Sequence, residues 1–293
     1  MKKKRIYALG FFDGVHRGHQ MVFDLCRHLA ENSGASTAAI TFDAHPQSLF
    51  TPTPPALLNT TEDRRWLIRE WAGMDDLLVF PVNPQVMRMP WQDFLAVLIQ
   101  EGAVGFVCGY DFRFGKNGEG NPEKLAAFAR ERGLPCHIVE EQTMDGEKIS
   151  STRIRTLIEQ GDMENARRLL GHVHRFTGEV VPGRQLGRTI GIPTANLRLP
   201  QGIVCPGFGV YACRAYVDGK DFLAVTNVGV RPTVSGEGVT VEPWILDFDG
   251  DLYGKKITLE FHHFLRPEKK FGSLEELQRE IRRNAEQTKE LLR

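Results

Sequence analysis

The sequence predicts two domains: an N-terminal α/β domain with a doubly wound, Rossmann-like parallel sheet, and a C-terminal antiparallel β-barrel that ends in an α-helix. Three observations indicate this. The 293 residues exceed the length of one typical domain. Strands alternate with amphipathic helices as far as about residue 170. Beyond it, short runs rich in Val, Thr, Tyr and Gly are separated by turn residues without intervening helices. We place the boundary between residues 172 and 173.

The N-terminal alternation can be read element by element. Met21, Val22, Leu25 and Leu29 recur at helical spacing, and Asn121-Pro122 places a proline at the first position of a later helix. Strands are expected at 6–9, 35–42, 77–82, 104–110 and 136–140, and helices at 16–31, 62–71, 91–99, 122–133 and 151–160.

The C-terminal half carries turn and cap signals. Asp218-Gly219 is a strong hairpin signal between apolar runs, and Asp249-Gly250 is typical of a second turn. Ser273, followed three residues later by Glu276, predicts a capping box at the start of the last helix. A small barrel closed by one helix follows from this order.

Composition excludes several classes of protein. Lys+Arg and Asp+Glu both number 37, so the basic surplus of a general nucleic-acid binder is missing. The five cysteines are scattered without a C-x-x-C pair, which argues against a zinc site or a disulfide framework and fits a cytoplasmic protein. No apolar run is long enough to span a membrane, and nothing implies an obligate protein partner.

Residues 10–19, Gly-Phe-Phe-Asp-Gly-Val-His-Arg-Gly-His, form the most informative segment. They join the first predicted strand to a helix, whose N-terminus favours anions. Gly10 and Gly14 let a ligand approach the backbone, and His16 and His19 add hydrogen-bond donors for a phosphate. One histidine at a helix start is ordinarily a cap or a solvated side chain, but two at this spacing favour an anion site. The pattern resembles the phosphate-binding signature of the nucleotidyltransferase superfamily. Its members catalyse the attack of a substrate on the α-phosphate of ATP or CTP, with pyrophosphate as the leaving group.

A second anion-binding segment precedes the last N-terminal helix. Residues 149–155, Ile-Ser-Ser-Thr-Arg-Ile-Arg, combine hydroxyls, helix-start N–H groups and two arginines. Alone they could be an N-cap with solvated arginines, but the superfamily closes its site with such an element. The resemblance implies a catalytic role for His16, His19 and Arg153. It implies ATP binding by Gly10, Phe11, Phe12, Asp13, Gly14, Ser150, Ser151, Thr152 and Arg155.

Two segments at predicted strand ends narrow the resemblance to bacterial FAD synthetases. Residues 41–46, Thr-Phe-Asp-Ala-His-Pro, and 109–115, Gly-Tyr-Asp-Phe-Arg-Phe-Gly, resemble segments of that family. Flavin contacts are thereby implied for Asp43, His45, Asp111, Phe112 and Arg113. The chain departs from the family at Phe11, where Asn is frequent, and at Asp43 and Ala44, where the family has Glu and Pro. Residues 109–117 are not a P-loop, because their glycine spacing is one residue too long.

The second domain contains a glycine-rich, basic stretch at residues 183–197. Such a stretch is most often a turn, but backbone N–H groups in it can also bind phosphates. Its Pro-Thr-Ala-Asn run, with later segments at 209–212, 227–233, 247–254 and 264–271, resembles the riboflavin kinases. That resemblance implies phosphate binding by Gly187, Arg188 and Gly191, Mg²⁺ binding by Thr194 and Asn196, and flavin binding by Asn227 and Arg266.

Glu242 occupies the position of the catalytic glutamate of the kinase family. By its residue type alone it would be a solvent-facing strand residue, but phosphorylation of an alcohol needs a group that orients the hydroxyl and accepts its proton. Trp244 replaces a nearby histidine that is common in the family.

Together the resemblances imply an enzyme of FAD biosynthesis. The C-terminal domain would phosphorylate riboflavin to FMN with Mg-ATP, and the N-terminal domain would adenylylate FMN to FAD and release pyrophosphate. Two alternatives remain: a nucleotidyltransferase acting on another mononucleotide or phosphopantetheine, and a non-catalytic flavin-sensing regulatory protein built on the same domains.

Overall fold

The computed structural model describes residues 2–183, 191–233 and 236–293. The chain forms two compact units, one of Met1–Leu57 with Thr61–Ser151 and the other of Leu58–Thr60 with Thr152–Arg293. Within the described residues, every helix is too short or too polar to cross a membrane.

The first unit is built on a parallel sheet of five strands. They are β1 (Arg5–Leu9), β2 (Ser36–Phe42), β3 (Asp76–Phe80), β4 (Ala103–Gly109) and β5 (Cys136–Val139). Their order in space is β3-β2-β1-β4-β5, and every neighbouring pair is parallel. The chain builds outward from β1 to β3 on one side and then returns to place β4 on the other. Ligands of such sheets bind beyond the carboxyl ends of the strands where the order reverses, here between β1 and β4.

Helices cover both faces of this sheet. The helices of this unit are α1 (Arg17–Ser33), α2 (Thr61–Trp66, continued by a π-helical turn Leu67–Trp71), α3 (Pro84–Met87), α4 (Trp91–Gln100) and α5 (Pro122–Glu131). Along β1, Ile6 and Ala8 join the core cluster that contains α1, while Tyr7 and Leu9 join the cluster that contains α4 and α5. A strand buried on both faces is typical of a doubly wound parallel sheet, so the predicted fold is confirmed. A short hairpin, β6 (Thr143–Met144) and β7 (Glu147–Lys148), follows the sheet.

The second unit is a closed barrel of six strands. Two helices, α6 (Ser151–Glu159) and α7 (Met163–Leu170), lead into it. Its strands are β8 (His174–Val181), β9 (Asn196–Leu197), β10 (Gly209–Val217), β11 (Lys220–Thr233), β12 (Gly236–Ile245) and β13 (Lys256–Arg266). The order around the barrel is β10-β11-β12-β9-β8-β13, and α8 (Leu274–Leu292) packs against β10 and β11.

The local signals behave as expected from the sequence. Asp218 and Gly219 both have positive φ, 48° and 79°, as a type I′ hairpin requires. The Ser273 hydroxyl accepts a hydrogen bond from the Glu276 amide at 3.2 Å. The Glu276 carboxylate accepts one from Gly272 at 3.0 Å, so the capping box is present with its return bond shifted by one residue. Helix α7 was not expected, and the domain boundary between residues 172 and 173 stays a prediction.

Candidate active sites

The loop between β1 and α1 has an unusual backbone. Phe12, Gly14 and Val15 have φ values of 57°, 81° and 46°, all in the left-handed region. Glycine adopts this conformation freely, whereas a β-branched valine does so only under strain. Gly10 is required for space, since a Cβ there would lie 2.6 Å from the ring of Phe12. Strained backbone of this kind concentrates at functional sites.

Side chains from three other segments hold the loop in this conformation. They donate hydrogen bonds to the carbonyl oxygens of every second loop residue. Thr41 Oγ1 donates to the carbonyl of Phe11 at 2.6 Å, Ser151 Oγ to that of Asp13 at 2.9 Å, and Gln20 Nε2 to that of Val15 at 2.9 Å. Since these carbonyl oxygens are already bound to the protein, the loop is preorganised before any ligand arrives. Thr41 and Gln20 were not among the predicted site residues, because contacts between distant segments leave no local pattern in a sequence.

The two histidines lie face to face at the start of α1. Their ring centroids are 3.6 Å apart with 15° between the planes, and His16 Nδ1 caps the helix by accepting from the His19 amide at 3.4 Å. An accepting Nδ1 leaves the proton of a neutral His16 on Nε2, where it can be donated. Burial, then the neighbouring His16 and Arg64, hold the pKa of His19 well below its usual range, so His19 is neutral near pH 7.

The predicted flavin residues follow β2 and β4, the two strands that flank β1. His45 packs edge-on against the ring of Phe11, with centroids 5.4 Å apart, and its Nδ1 accepts from the Gln47 amide. Asp43 Oδ1 accepts from the Val82 amide at 2.8 Å, which ties the end of β2 to the loop after β3. These side chains therefore lie at the sheet edge that also carries the loop of residues 10–16 between β1 and α1. We call this segment, with His19 on the first turn of α1, the histidine loop.

The residues after β4 are more exposed. Asp111 pairs with Lys148 at 2.9 Å, Phe112 stacks on Phe114 with ring centroids 5.4 Å apart, and the side chain of Arg113 is exposed. The Asp111–Lys148 pair links the end of β4 to β7. Phe112 is half-buried and packs against the core, and the flavin roles of Asp111, Phe112 and Arg113 stay predictions.

The Ser/Arg segment forms the start of α6. Ser150 directly precedes the helix, and Ser151 opens it while its hydroxyl binds the carbonyl of Asp13. Thr152, Arg153 and Arg155 lie in the first two turns and belong to the second compact unit. A phosphate role for these residues stays a prediction.

Strand pairing in the barrel brings four predicted kinase residues together. Glu242 on β12 pairs directly with Asn227 on β11. The Ala195 amide, between Thr194 and Asn196, donates to the carbonyl of Pro243 at 2.9 Å. The Pro-Thr-Ala-Asn run therefore lies alongside the strand that carries Glu242, whose side chain is buried.

A cavity of about 330 Å³ opens beside this strand. Its lining includes Thr194, Pro243, Asp249, Asp251 and Tyr253. Hydroxyl, carboxylate and backbone oxygens are the ligands that Mg²⁺ prefers. Among the described residues, no cluster of three His, Cys, Asp or Glu side chains that could hold a metal is found. The oxygen atoms of Thr194, Asp249 and Asp251 in this lining fit a magnesium ion.

Two further predicted residues of the barrel are already engaged by the protein. Arg266 Nε donates to Asn284 Oδ1 of α8 at 3.1 Å and lies 3.6 Å from a carboxylate oxygen of Glu280. Asn196 lies against Gly183, where a Cβ would come within 2.0 Å of its Nδ2. Gly191 has a φ of 68°, and no atom of the described residues lies within 4 Å of a Cβ placed there. Gly187 and Arg188 lie outside the described residues.

Known proteins resemble the chain over both units. The FAD synthetase family model matches residues 1–153 and the riboflavin kinase family model matches residues 170–292. A bifunctional riboflavin kinase/FMN adenylyltransferase of Listeria monocytogenes is 35% identical, over 97% of this chain and 91% of its own length. One from Bacillus subtilis is also 35% identical, over the same shares.

A solved structure agrees in fold. A crystal structure described as a macrolide-efflux protein from Streptococcus pneumoniae matches with a TM-score of 0.87 and 30% identity, over 99% of this chain and 95% of that one. The two matched families correspond to the two activities in the names of these relatives. The chain belongs to the family of bifunctional riboflavin kinase/FMN adenylyltransferases.

Proposed function

We propose that the chain makes FAD from riboflavin in two ATP-dependent transfers, one in each predicted domain. Residues 173–293 would phosphorylate riboflavin, and residues 1–172 would adenylylate the resulting FMN. The observation that supports this most directly is the coexistence of the preorganised histidine loop with the Glu242–Asn227 pair beside the Pro-Thr-Ala-Asn run. Both matched families are families of enzymes, so a purely flavin-sensing role is not favoured. We also propose a cytoplasmic location for the enzyme.

In the kinase step, Glu242 accepts the proton of a ribityl hydroxyl as its oxygen attacks the γ-phosphorus of ATP. The bond from the γ-phosphorus to the bridging oxygen breaks, and ADP leaves with the electron pair. Mg²⁺ bound to the phosphates would neutralise their charge, and Thr194 and Asn196 supply neutral oxygens to hold it. Asn227, which pairs with Glu242, and Arg266 would contact the flavin.

In the adenylyl step, a phosphate oxygen of FMN attacks the α-phosphorus of ATP, and pyrophosphate leaves with the electrons of the bond that breaks. A phosphomonoester has a second pKa of about 6, so FMN needs no general base near neutral pH. Catalysis is positioning and charge stabilisation. The N–H groups of His16 and His19, the start of α6 and Arg153 would bind the phosphates. Asp43, His45 and the residues after β4 would hold the flavin.

Chromatography of the flavins formed by two variants tests this assignment. His19→Ala is expected to lower the rate of conversion of FMN to FAD by a factor of roughly 10² or more, while riboflavin is still phosphorylated. Glu242→Gln is expected to lower FMN formation by roughly 10² to 10⁴, while added FMN still yields FAD. His28→Ala, an exposed histidine later on α1, is the matched control. Loss of both activities from either single change in folded protein would contradict the two-site assignment.

A further inference from the structure

Arg64 on α2 is the largest side chain among the described residues that is completely shielded from solvent. Its guanidinium donates from Nη2 to the carbonyl of Phe42 at 2.6 Å and lies over the ring of Phe11, 4.6 Å from the centroid. Within the described part of the chain, Nε and Nη1 have no hydrogen-bond partner, and the guanidinium forms no ion pair.

Burying a cation without a paired carboxylate opposes folding, and an apolar side chain of similar volume would fill the same space at lower cost. The charge also persists. Burial lowers the pKa of Arg64 to about 10, with Asp13 and Asp43 acting against the shift, so the guanidinium stays protonated at neutral pH. A persistent charge without a direct ion pair at this position therefore calls for a role that an apolar residue could not fill.

The contacts of Arg64 all lie around the histidine loop. Phe11 is the loop residue whose carbonyl is held by Thr41, and its ring also contacts His45. Phe42 ends β2. The charge of Arg64 also acts on His19, together with that of His16, and both oppose protonation of His19. Arg64 thus contacts the end of β2 and the loop directly, and it acts on the histidine pair through its charge.

We infer that Arg64 is a positioning residue for adenylyl transfer, which fixes Phe11 and the end of β2 against the loop and supplies positive charge close to His19, one of the histidines proposed to bind phosphate. This rests on the proposed function of the loop. The incoming phosphate would add negative charge to that of Asp13 and Asp43, which act on the buried guanidinium without forming an ion pair with it. Arg64 does not touch the reacting atoms, and it acts through Phe11 and the histidines.

Two full-length variants separate charge from volume. Arg64→Met keeps most of the volume and removes the charge, and Arg64→Lys keeps the charge. In Arg64→Met, kcat/KM for FMN adenylylation is expected to fall roughly tenfold or more, and Arg64→Lys is expected to recover most of it. Riboflavin phosphorylation by the same preparations serves as the internal control. Titration of the His19 ring by NMR, assigned with His19→Gln, is expected to show a higher pKa in Arg64→Met and a return towards the wild-type value in Arg64→Lys.

Wild-type kinetics in Arg64→Met would overturn the inference. So would an equal loss in both variants with an unmoved His19 titration, because a purely structural arginine would give that result. If Arg64→Met does not fold, Arg64→Gln provides the same neutral comparison with a polar side chain. Failure of the wild-type protein to convert FMN to FAD would instead contradict the proposed function, so the two failures are distinguishable.

Discussion

At the scale of single residues, the strained backbone of the histidine loop is stabilised by buried side chains and hydrogen bonds. Phe12 and Val15 hold left-handed conformations that cost on the order of 1–3 kcal/mol each. Their side chains are buried in the core, and three side-chain donors bind the loop carbonyls. These contacts offset the strain and fix the loop in the free protein. Ser151, predicted to bind phosphate, is one of these donors, so its hydroxyl supports the loop when no ligand is bound.

Gly183 provides a residue-scale prediction for the kinase site. A Cβ at this position would lie 2.0 Å from Nδ2 and 2.5 Å from Cγ of Asn196, so Gly183→Ala must displace the Asn196 carboxamide. Because Asn196 is proposed to hold the metal and phosphates, riboflavin phosphorylation is expected to fall about tenfold or more. Adenylylation of added FMN is expected to be unchanged, and both rates can be measured by chromatography.

A double-mutant cycle identifies the cause of that loss. If the new methyl group acts by displacing Asn196, Gly183→Ala should cost little in a background that already carries Asn196→Ala. Additive losses would show that Gly183 matters through its own backbone, and an unimpaired Gly183→Ala kinase would remove Asn196 from the proposed site.

At the scale of elements, local signals explain most of the fold. Every predicted N-terminal strand and helix is present within a few residues of its expected bounds, because apolar periodicity, proline starts and caps are encoded locally. Strand β9, of only two residues, is too short to carry any periodicity of its own. Helix α7 follows α6 after a brief turn at Gly161 and Asp162, and its charged surface residues obscured its apolar stripe.

The start of β8 carries a prediction about acid stability. His174 is buried, packs 6.1 Å from the ring of Phe261, and neither ring nitrogen has a hydrogen-bond partner among the described residues. Burial, with a contribution from His172, lowers the pKa of His174 to about 3. The unfolded chain binds this proton near pH 6.5 and the folded barrel does not. Proton binding by His174 in the unfolded chain therefore does not lower the free energy of unfolding above pH 6.5. It lowers that free energy increasingly as the pH falls from 6.5 towards 3.

His174→Phe removes this proton uptake. Relative to the wild type, the variant is expected to gain about 2 kcal/mol in free energy of unfolding between pH 7 and pH 5. Any constant packing difference cancels in that comparison. With Trp66, Trp71 and Trp91 changed to Phe, the remaining Trp244 reports denaturant unfolding of the barrel unit. A difference that stays constant between the two pH values would mean that His174 is protonated in the folded barrel.

At the scale of the whole molecule, motif and topology explain different parts of the sites. The order of the sheet brings the ends of β1, β2 and β4 to one edge, and the barrel pairs Glu242 with Asn227, so residues that the motifs single out become neighbours. Arg64 was missed because it stands in the run Asp63-Arg64-Arg65, which is typical of a solvated helix surface. Its spacing from Leu67 and Ile68, both buried, was the one available signal that it faces the core.

The two activities are predicted to complement one another between separate molecules. His19→Ala keeps a complete kinase site and Glu242→Gln keeps a complete adenylyltransferase site, while neither variant alone should convert riboflavin to FAD. FMN is a small, soluble product that can diffuse from one protein molecule to another. An equimolar mixture of the two variants with riboflavin and Mg-ATP is therefore expected to accumulate FMN first and then FAD, with the rate of FAD formation rising with protein concentration. If the mixture forms FMN but no FAD, while added FMN is converted normally by Glu242→Gln, FMN must be retained by the molecule that makes it.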